Sequence, residues 1–195
     1  MTEHTKSNSP KRRLRQLVKR GKIPEHPLYV PLVYAVAAQI EGLDLRRFLS
    51  DATQLSKGLI ALQQALATDG MLCFMSTSTE AEALGATLDW SEYPPRVSSP
   101  PPQTFVEDPA DYLRKLPRIQ VAVDVLQRLS ATAKGQPLLA AAIAGPAGIA
   151  SQLAADHTDP EVMEQCGRVA TETARILAEA GAQLIFILEP ALSAV

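Results

Sequence analysis

Residues 137–148, PLLAAAIAGPAG, and residues 180–190, AGAQLIFILEP, bracket the stretch whose reading decides the fold. Leu138–Ile143 is an apolar run of strand length that stops at Gly145-Pro146. Asp159-Pro160-Glu161 then spells a helix start: a carboxylate able to cap, proline at the first helical position, and acid in the first turn. Val162, Cys166, Val169, Thr173, Ile176 and Ala180 recur at steps of three and four, which is one helical face. Gly181 closes that helix, and Leu184–Leu188 is a second apolar run. Strand, crossover helix and strand make a βαβ unit, whose two strands run parallel.

Working outward toward the N-terminus, the same alternation repeats. Met71–Met75 (MLCFM) reads as a strand. Before it, Asp51 can cap a helix whose buried stripe is Leu55, Leu59, Leu62 and Leu66, and Asp44 can cap Leu45–Leu49. Leu28–Val33 reads as a first strand although Pro31 removes one ladder donor. After Met75, Thr79 and Glu82 have capping-box spacing for a short helix ending near Gly85. Asp108 starts another, and Pro117–Ala133 is amphipathic with Ile119, Ala122, Leu126 and Leu129 inward. The order β-α-β-α-β-α-β predicts an α/β fold with a four-stranded parallel sheet.

Two segments stand outside this alternation. Residues 86–109 hold PPRVSSPPP, with five of the 15 prolines in Pro94–Pro102, and predict no regular element. That stretch is either a surface loop or a lid over the strand ends. Residues 1–22 carry eight of the 19 basic residues and form a basic arm ahead of a domain spanning 23–195. Within the arm, Pro10–Gly21 can form a helix with Leu14, Leu17 and Val18 as its apolar stripe. Without interleaved aromatics, a helix packed on the domain by that stripe is preferred to a nucleic-acid-binding arm.

Bulk properties exclude other classes. With 195 residues, 46% hydrophobic and 21% charged, the chain can bury a sizeable core, and a net charge of −2 gives no global pull toward nucleic acid. Cys73 and Cys166 lie on apolar stretches and read as buried, reduced thiols. No run reaches the roughly 18 apolar residues of a membrane span, so a cytoplasmic protein without membrane contact is expected. The last strand poses a packing problem. Seven residues follow Leu188, too few to cover so apolar an edge, which calls either for a second copy of the chain or for a longer natural chain whose C-terminal half covers it.

The succession PLYVPLVYAVAAQIEGLDLRRFLSD, DGMLCFMSTSTEAEALGATLDWSEYPPRV, DPADYLRKLP, PLLAAAIAGPAGIASQL and EAGAQLIFILEP resembles the uroporphyrinogen decarboxylase superfamily, from about Lys22 onward. This superfamily includes the decarboxylase of haem synthesis and corrinoid-linked methyltransferases that methylate thiols. The resemblance implies a TIM (β/α)8 barrel, here its strands one to four with their helices, and a site at the C-terminal strand ends. The arginine-bearing motif that decarboxylases carry after strand one is matched here by VYAVAAQ at Val33–Gln39, without arginine. Their aspartate at the end of strand two falls on Ser76, and their tyrosine after strand three falls near Gln152. A tetrapyrrole rich in carboxylates needs guanidinium partners.

The methyltransferase branch is matched better, by the strand-one region and the EP ending. The expected function is therefore that of a relative of methylcorrinoid:thiol methyltransferases. The alternatives are uroporphyrinogen decarboxylase itself and a non-catalytic half barrel that assembles with a second copy or a second half. Methyltransferases of this branch use zinc, held by His and Cys of the second half, to keep a thiol as thiolate. His4, His26 and His157 have no ligand spacing with either cysteine. No metal or other cofactor is thus expected within these residues, and zinc and a corrinoid partner are implied for a full-length homologue. The ligand is expected to be a small molecule or a tetrapyrrole or corrinoid.

On the barrel reading, Tyr34 follows strand one, Ser76 and Thr77 follow strand two, and Glu80 and Glu82 occupy the next turn. Gly145, Pro146 and Gly148 open a helix after strand three, either as a tight turn or as backbone exposed to a ligand. Gln152 lies in that helix. Glu189 leaves strand four toward solvent or into a pocket, and Ser193 follows it as a weaker candidate.

Overall fold

Aspartates Asp44, Asp51, Asp108 and Asp159 each cap a helix start. The computed structural model describes residues 9–21, 23–101, 107–132, 137–156 and 158–189. Helix α1 spans Pro10–Arg20, α2 Val36–Glu41, α3 Leu45–Ser50 and α4 Ala52–Leu66. Asp44 accepts from the Arg47 amide at 3.1 Å, and Asp51 accepts from Thr53 and Gln54 at 2.8 and 3.1 Å. Each satisfies amides that a helix leaves without partners. Strand β1 (Gly70–Met75) follows, then α5 (Thr79–Ala83). Two short strands, β2 (Thr87–Asp89) and β3 (Arg96–Ser99), precede α6 (Pro109–Lys115) and α7 (Pro117–Thr132). The βαβ unit closes the series with β4 (Leu138–Ala144), α8 (Pro146–Gln152), α9 (Pro160–Glu179) and β5 (Leu184–Leu188).

Strands β1, β4 and β5 form one parallel sheet in that order, with Met71 opposite Leu139 and Ala141 opposite Ile185. The register slips between Leu72 and Phe74, at Cys73. Every residue of β4 is buried, as a central parallel strand covered on both faces requires. Its four alanines let neighbouring elements approach closely. Phe48, Leu55, Leu72, Leu126, Ile143 and Ile176 fill the core with less than 2% of their surface exposed. A β-carbon on Gly58 would lie 2.8 Å from the Phe48 ring, so this glycine makes room for a fully buried aromatic side chain. Strand β5 is the sheet edge: its residues are half-buried, and Ile187 is 61% exposed.

Three sequence expectations change. Leu28–Val33 forms no strand, so the described parallel sheet has three strands. The segment does lie beside the start of β1: Asp69 and Tyr29 exchange hydrogen bonds of 2.9 Å, one through the Asp69 carboxylate, and Val30 covers Gly70. Pro31 has no N–H to extend a ladder beyond that point. The proline-rich excursion contains regular structure after all. Strands β2 and β3 pair antiparallel, with Leu88 opposite Val97, because Pro94, Pro95 and Pro100 all fall outside the ladder. Helix α1 is held differently from its predicted stripe. Leu17 and Val18 are exposed, whereas Arg13 is buried, donating to the carbonyls of His26 and Pro27 at 3.3 and 2.8 Å and pairing with Asp69.

Candidate functional site

The C-terminal ends of β1, β4 and β5 carry most of the predicted site residues, and hydrogen bonds join them there. Ser76, 1% exposed, donates its amide to Ala142 at 3.0 Å. Its hydroxyl oxygen accepts from the amides of Ser78 and Thr79, both at 3.1 Å, and so performs the capping that sequence assigned to Thr79. The same oxygen accepts from Arg118 at 2.9 Å, and Arg118 also pairs with Glu82 at 2.8 Å. The Arg118 guanidinium lies 5.0 Å from the centre of the Trp90 ring, whose neighbourhood also includes Arg46 at 5.5 Å. Arg118 is the hub that sequence reading missed. It stands at the start of an otherwise ordinary amphipathic helix, and nothing in its local pattern announces a long-range partner.

Trp90 and Tyr93 fasten the β2–β3 hairpin to these strand ends. The Tyr93 hydroxyl donates to the Met75 carbonyl at 3.0 Å. Burial raises the Tyr93 phenol to about 12 against the opposing pull of Arg118, so it remains a donor. Tyr34 is buried in the core, with its phenol raised well above the ordinary value by burial and then by Tyr93.

Glu80 is fully buried, and among the described residues neither carboxylate oxygen has a hydrogen-bond partner at normal distance and angle. Burial lifts its pKa from 4.5 to about 7; Thr173, Arg118 and nearby backbone groups offset only part of this. The Thr173 hydroxyl itself donates to Val169, at 3.1 Å. Glu80 therefore belongs to the interior beneath the site, not to its open surface.

On the other side, Gly145, Pro146, Ala147 and Gly148 bring the start of α8 against Glu189. The Glu189 carboxylate accepts from the Ala147 and Gly148 amides at 3.1 and 2.9 Å. The backbone groups that sequence offered to a ligand are thus engaged by the chain's own acid. Gln152, in the last turn of α8, donates to the Thr77 carbonyl. Ser193 and His157 lie outside the described residues.

Both thiols are fully buried, Cys73 raised by desolvation to about 12 and Cys166 to about 11 by desolvation and then by Glu189, so neither is a thiolate at neutral pH. Among the described residues no group of three His, Cys, Asp or Glu side chains converges as metal binding requires. A zinc ion does not fit these residues. Also among the described residues, no helix is long and apolar enough to cross a membrane.

Parallel strands joined through helices, with polar residues gathered at their C-terminal ends, define an arc of a (β/α) barrel. Comparison with known proteins carries this further. The family model for uroporphyrinogen decarboxylase (URO-D) matches residues 9–194, and the chain belongs to that family. Among solved structures, a methyltransferase from Methanosarcina mazei superposes with a TM-score of 0.71 at 17% identity, covering 94% of this chain and 59% of its own. The fold is accordingly a partial TIM barrel, and the chain spans less than two thirds of that relative's length. A search of curated protein sequences found no match.

Proposed function

We propose that this chain contributes the first strands of a methyltransferase-type member of the uroporphyrinogen decarboxylase family, with a corrinoid-borne methyl group and a thiol as substrates of the whole protein. The observation that carries the reading is the engagement of Arg118. Its guanidinium is paired with Glu82, bonded to Ser76 and stacked on Trp90. A polycarboxylate tetrapyrrole would have to displace these partners to obtain a cation at this place, leaving Glu82 unpaired. Thr77, Ser151 and Gln152, which line the space beside the hairpin without a charge of their own, instead suit a ligand of low charge. The hairpin, fastened by Trp90 and Tyr93, would exclude water above it. Closing the apolar edge of β5 falls to further strands, from the same polypeptide or another copy.

The test is an assay of the natural full-length protein with methylcobalamin and a small thiol such as 2-mercaptoethanesulfonate, following the methylated thiol by mass spectrometry. Methyl transfer without decarboxylation of uroporphyrinogen is the expected result. Decarboxylation without methyl transfer would overturn the reading and favour the lyase branch of the family.

A further inference from the structure

Helix α1 lies beside the first residues of β4 and β5, at the end of the sheet opposite the candidate site. A groove of about 320 Å³ separates the helix from Leu138 and Leu184, where those strands begin. Lys11, Arg15 and Lys19 line it from the helix side, with Leu14 and Val18 among them. The three cations stand one helical turn apart, so their row spans about 12 Å.

The fold uses one cation of this helix and leaves the rest unanswered. Arg13, on the inner side, is paired with Asp69. Lys11, Arg12, Arg15 and Lys19 are exposed, and among the described residues none of the four has an acidic partner. Val18 is 73% exposed beside them, and Leu14 and Leu184 are half-buried. Cations thus flank an apolar lining, the arrangement by which a groove reads an amphipathic segment of opposite charge.

We infer that this groove docks a short acidic amphipathic helix of another protein. Carboxylates one turn apart on that helix face Lys11, Arg15 and Lys19, and an apolar side chain between them rests against Val18, Leu14 and Leu184. Charge selects the occupant. Residues 1–22 hold eight basic residues and one acidic residue, whereas the rest of the chain holds 11 basic and 20 acidic ones. Many of those acids are engaged within the chain: Asp69, Glu82, Asp124, Glu172 and Glu179 pair with its own cations, so a second copy is the poorer match. A bilayer surface is too flat to enter a groove, and a phosphate backbone gains nothing from the apolar lining. The occupant leaves the opposite strand ends open, so this inference and the methyl-transfer reading can fail separately.

The experiment titrates the natural full-length protein into a fluorescein-labelled helical peptide whose glutamates and leucines recur one turn apart, read by fluorescence anisotropy. Saturable binding that weakens as salt is raised is expected. A peptide with glutamine for glutamate, and one with serine for leucine, should each bind at least roughly tenfold more weakly. In the protein, Arg15→Glu should weaken the parent peptide roughly tenfold and Val18→Ser roughly threefold, whereas Arg47→Glu, on α3, leaves it unchanged. All three positions are exposed, so circular dichroism and methyl transfer should match those of the unaltered protein. Absence of saturable binding, or equal affinity in Arg15→Glu, would overturn the inference. So would equal binding of the serine peptide, of phosphatidylserine–phosphatidylcholine vesicles or of a single-stranded oligonucleotide. An oligomer that Arg15→Glu dissociates in light scattering would also overturn it, because the groove would then hold a second copy.

Discussion

A β-carbon placed on Gly145 would collide with the Glu189 carboxylate, because that group occupies the space above the first turn of α8. Glu189 reaches back from the end of β5 to the Ala147 and Gly148 amides, tying the last described strand to the helix after the preceding one. Gly145→Ala and Glu189→Ala should each cost about 2 kcal/mol, since both remove the same charge-assisted hydrogen bonds. The double variant should be little worse than either single one. Urea denaturation of all four proteins measures this, and additive losses would show that the two residues act independently.

Glu80 makes stability depend on pH in the direction opposite to a paired carboxylate. Its folded pKa of about 7 lies above the ordinary 4.5, so the folded state binds the proton more tightly. Stability from this group is fully present below pH 4.5 and falls as pH rises through 7. The loss is about 3 kcal/mol at the plateau above that range. Glu80→Gln should flatten this dependence and be the more stable protein at pH 8. Thermal melts from pH 4 to pH 8 check it; parallel curves for the two proteins would contradict it.

Arg118 holds the hairpin to the barrel arc by charge, hydrogen bond and ring contact together. Arg118→Lys keeps the charge but loses the planar fork and most of the stacking. A loss of about 1–2 kcal/mol is expected, together with a red shift of the fluorescence of Trp90, the chain's single tryptophan. An unchanged emission spectrum would mean that the hairpin is held without Arg118.

Asp69 anchors α1 through Arg13 and anchors Tyr29 through its backbone amide. Asp69→Asn leaves the Arg13 guanidinium half-matched in a buried position, at a cost of about 1–3 kcal/mol. Trypsin should then cleave within residues 11–20 several times faster, which limited proteolysis and mass spectrometry can read. Cleavage at the native rate would show that α1 is held by other contacts.

Much of the fold was legible because local chemistry and burial agreed. Asp44, Asp51, Asp108 and Asp159 cap the helices they were expected to cap. The stripe of Cys166, Val169, Thr173 and Ile176 is buried as its spacing predicts. The apolar runs Met71–Met75, Leu138–Ile143 and Leu184–Leu188 became the strands Gly70–Met75, Leu138–Ala144 and Leu184–Leu188. The run at 28–33 did not, since apolarity alone cannot replace the N–H that Pro31 lacks. The hairpin was missed for the converse reason: its ladder is so short that prolines in the turn dominate the local signal.

By itself the sequence determined the alternation of strands and helices, the family resemblance, and the chain segments that meet at the strand ends. Those follow from periodicity, capping and order, which are local properties. Only the tertiary structure decided what each candidate does there: Glu189 turns onto the α8 amides, Glu80 is buried beneath the site, and Arg118 arrives from 36 residues beyond Glu82. Such pairings are set by where the backbone brings distant residues together, and no spacing within one element encodes them.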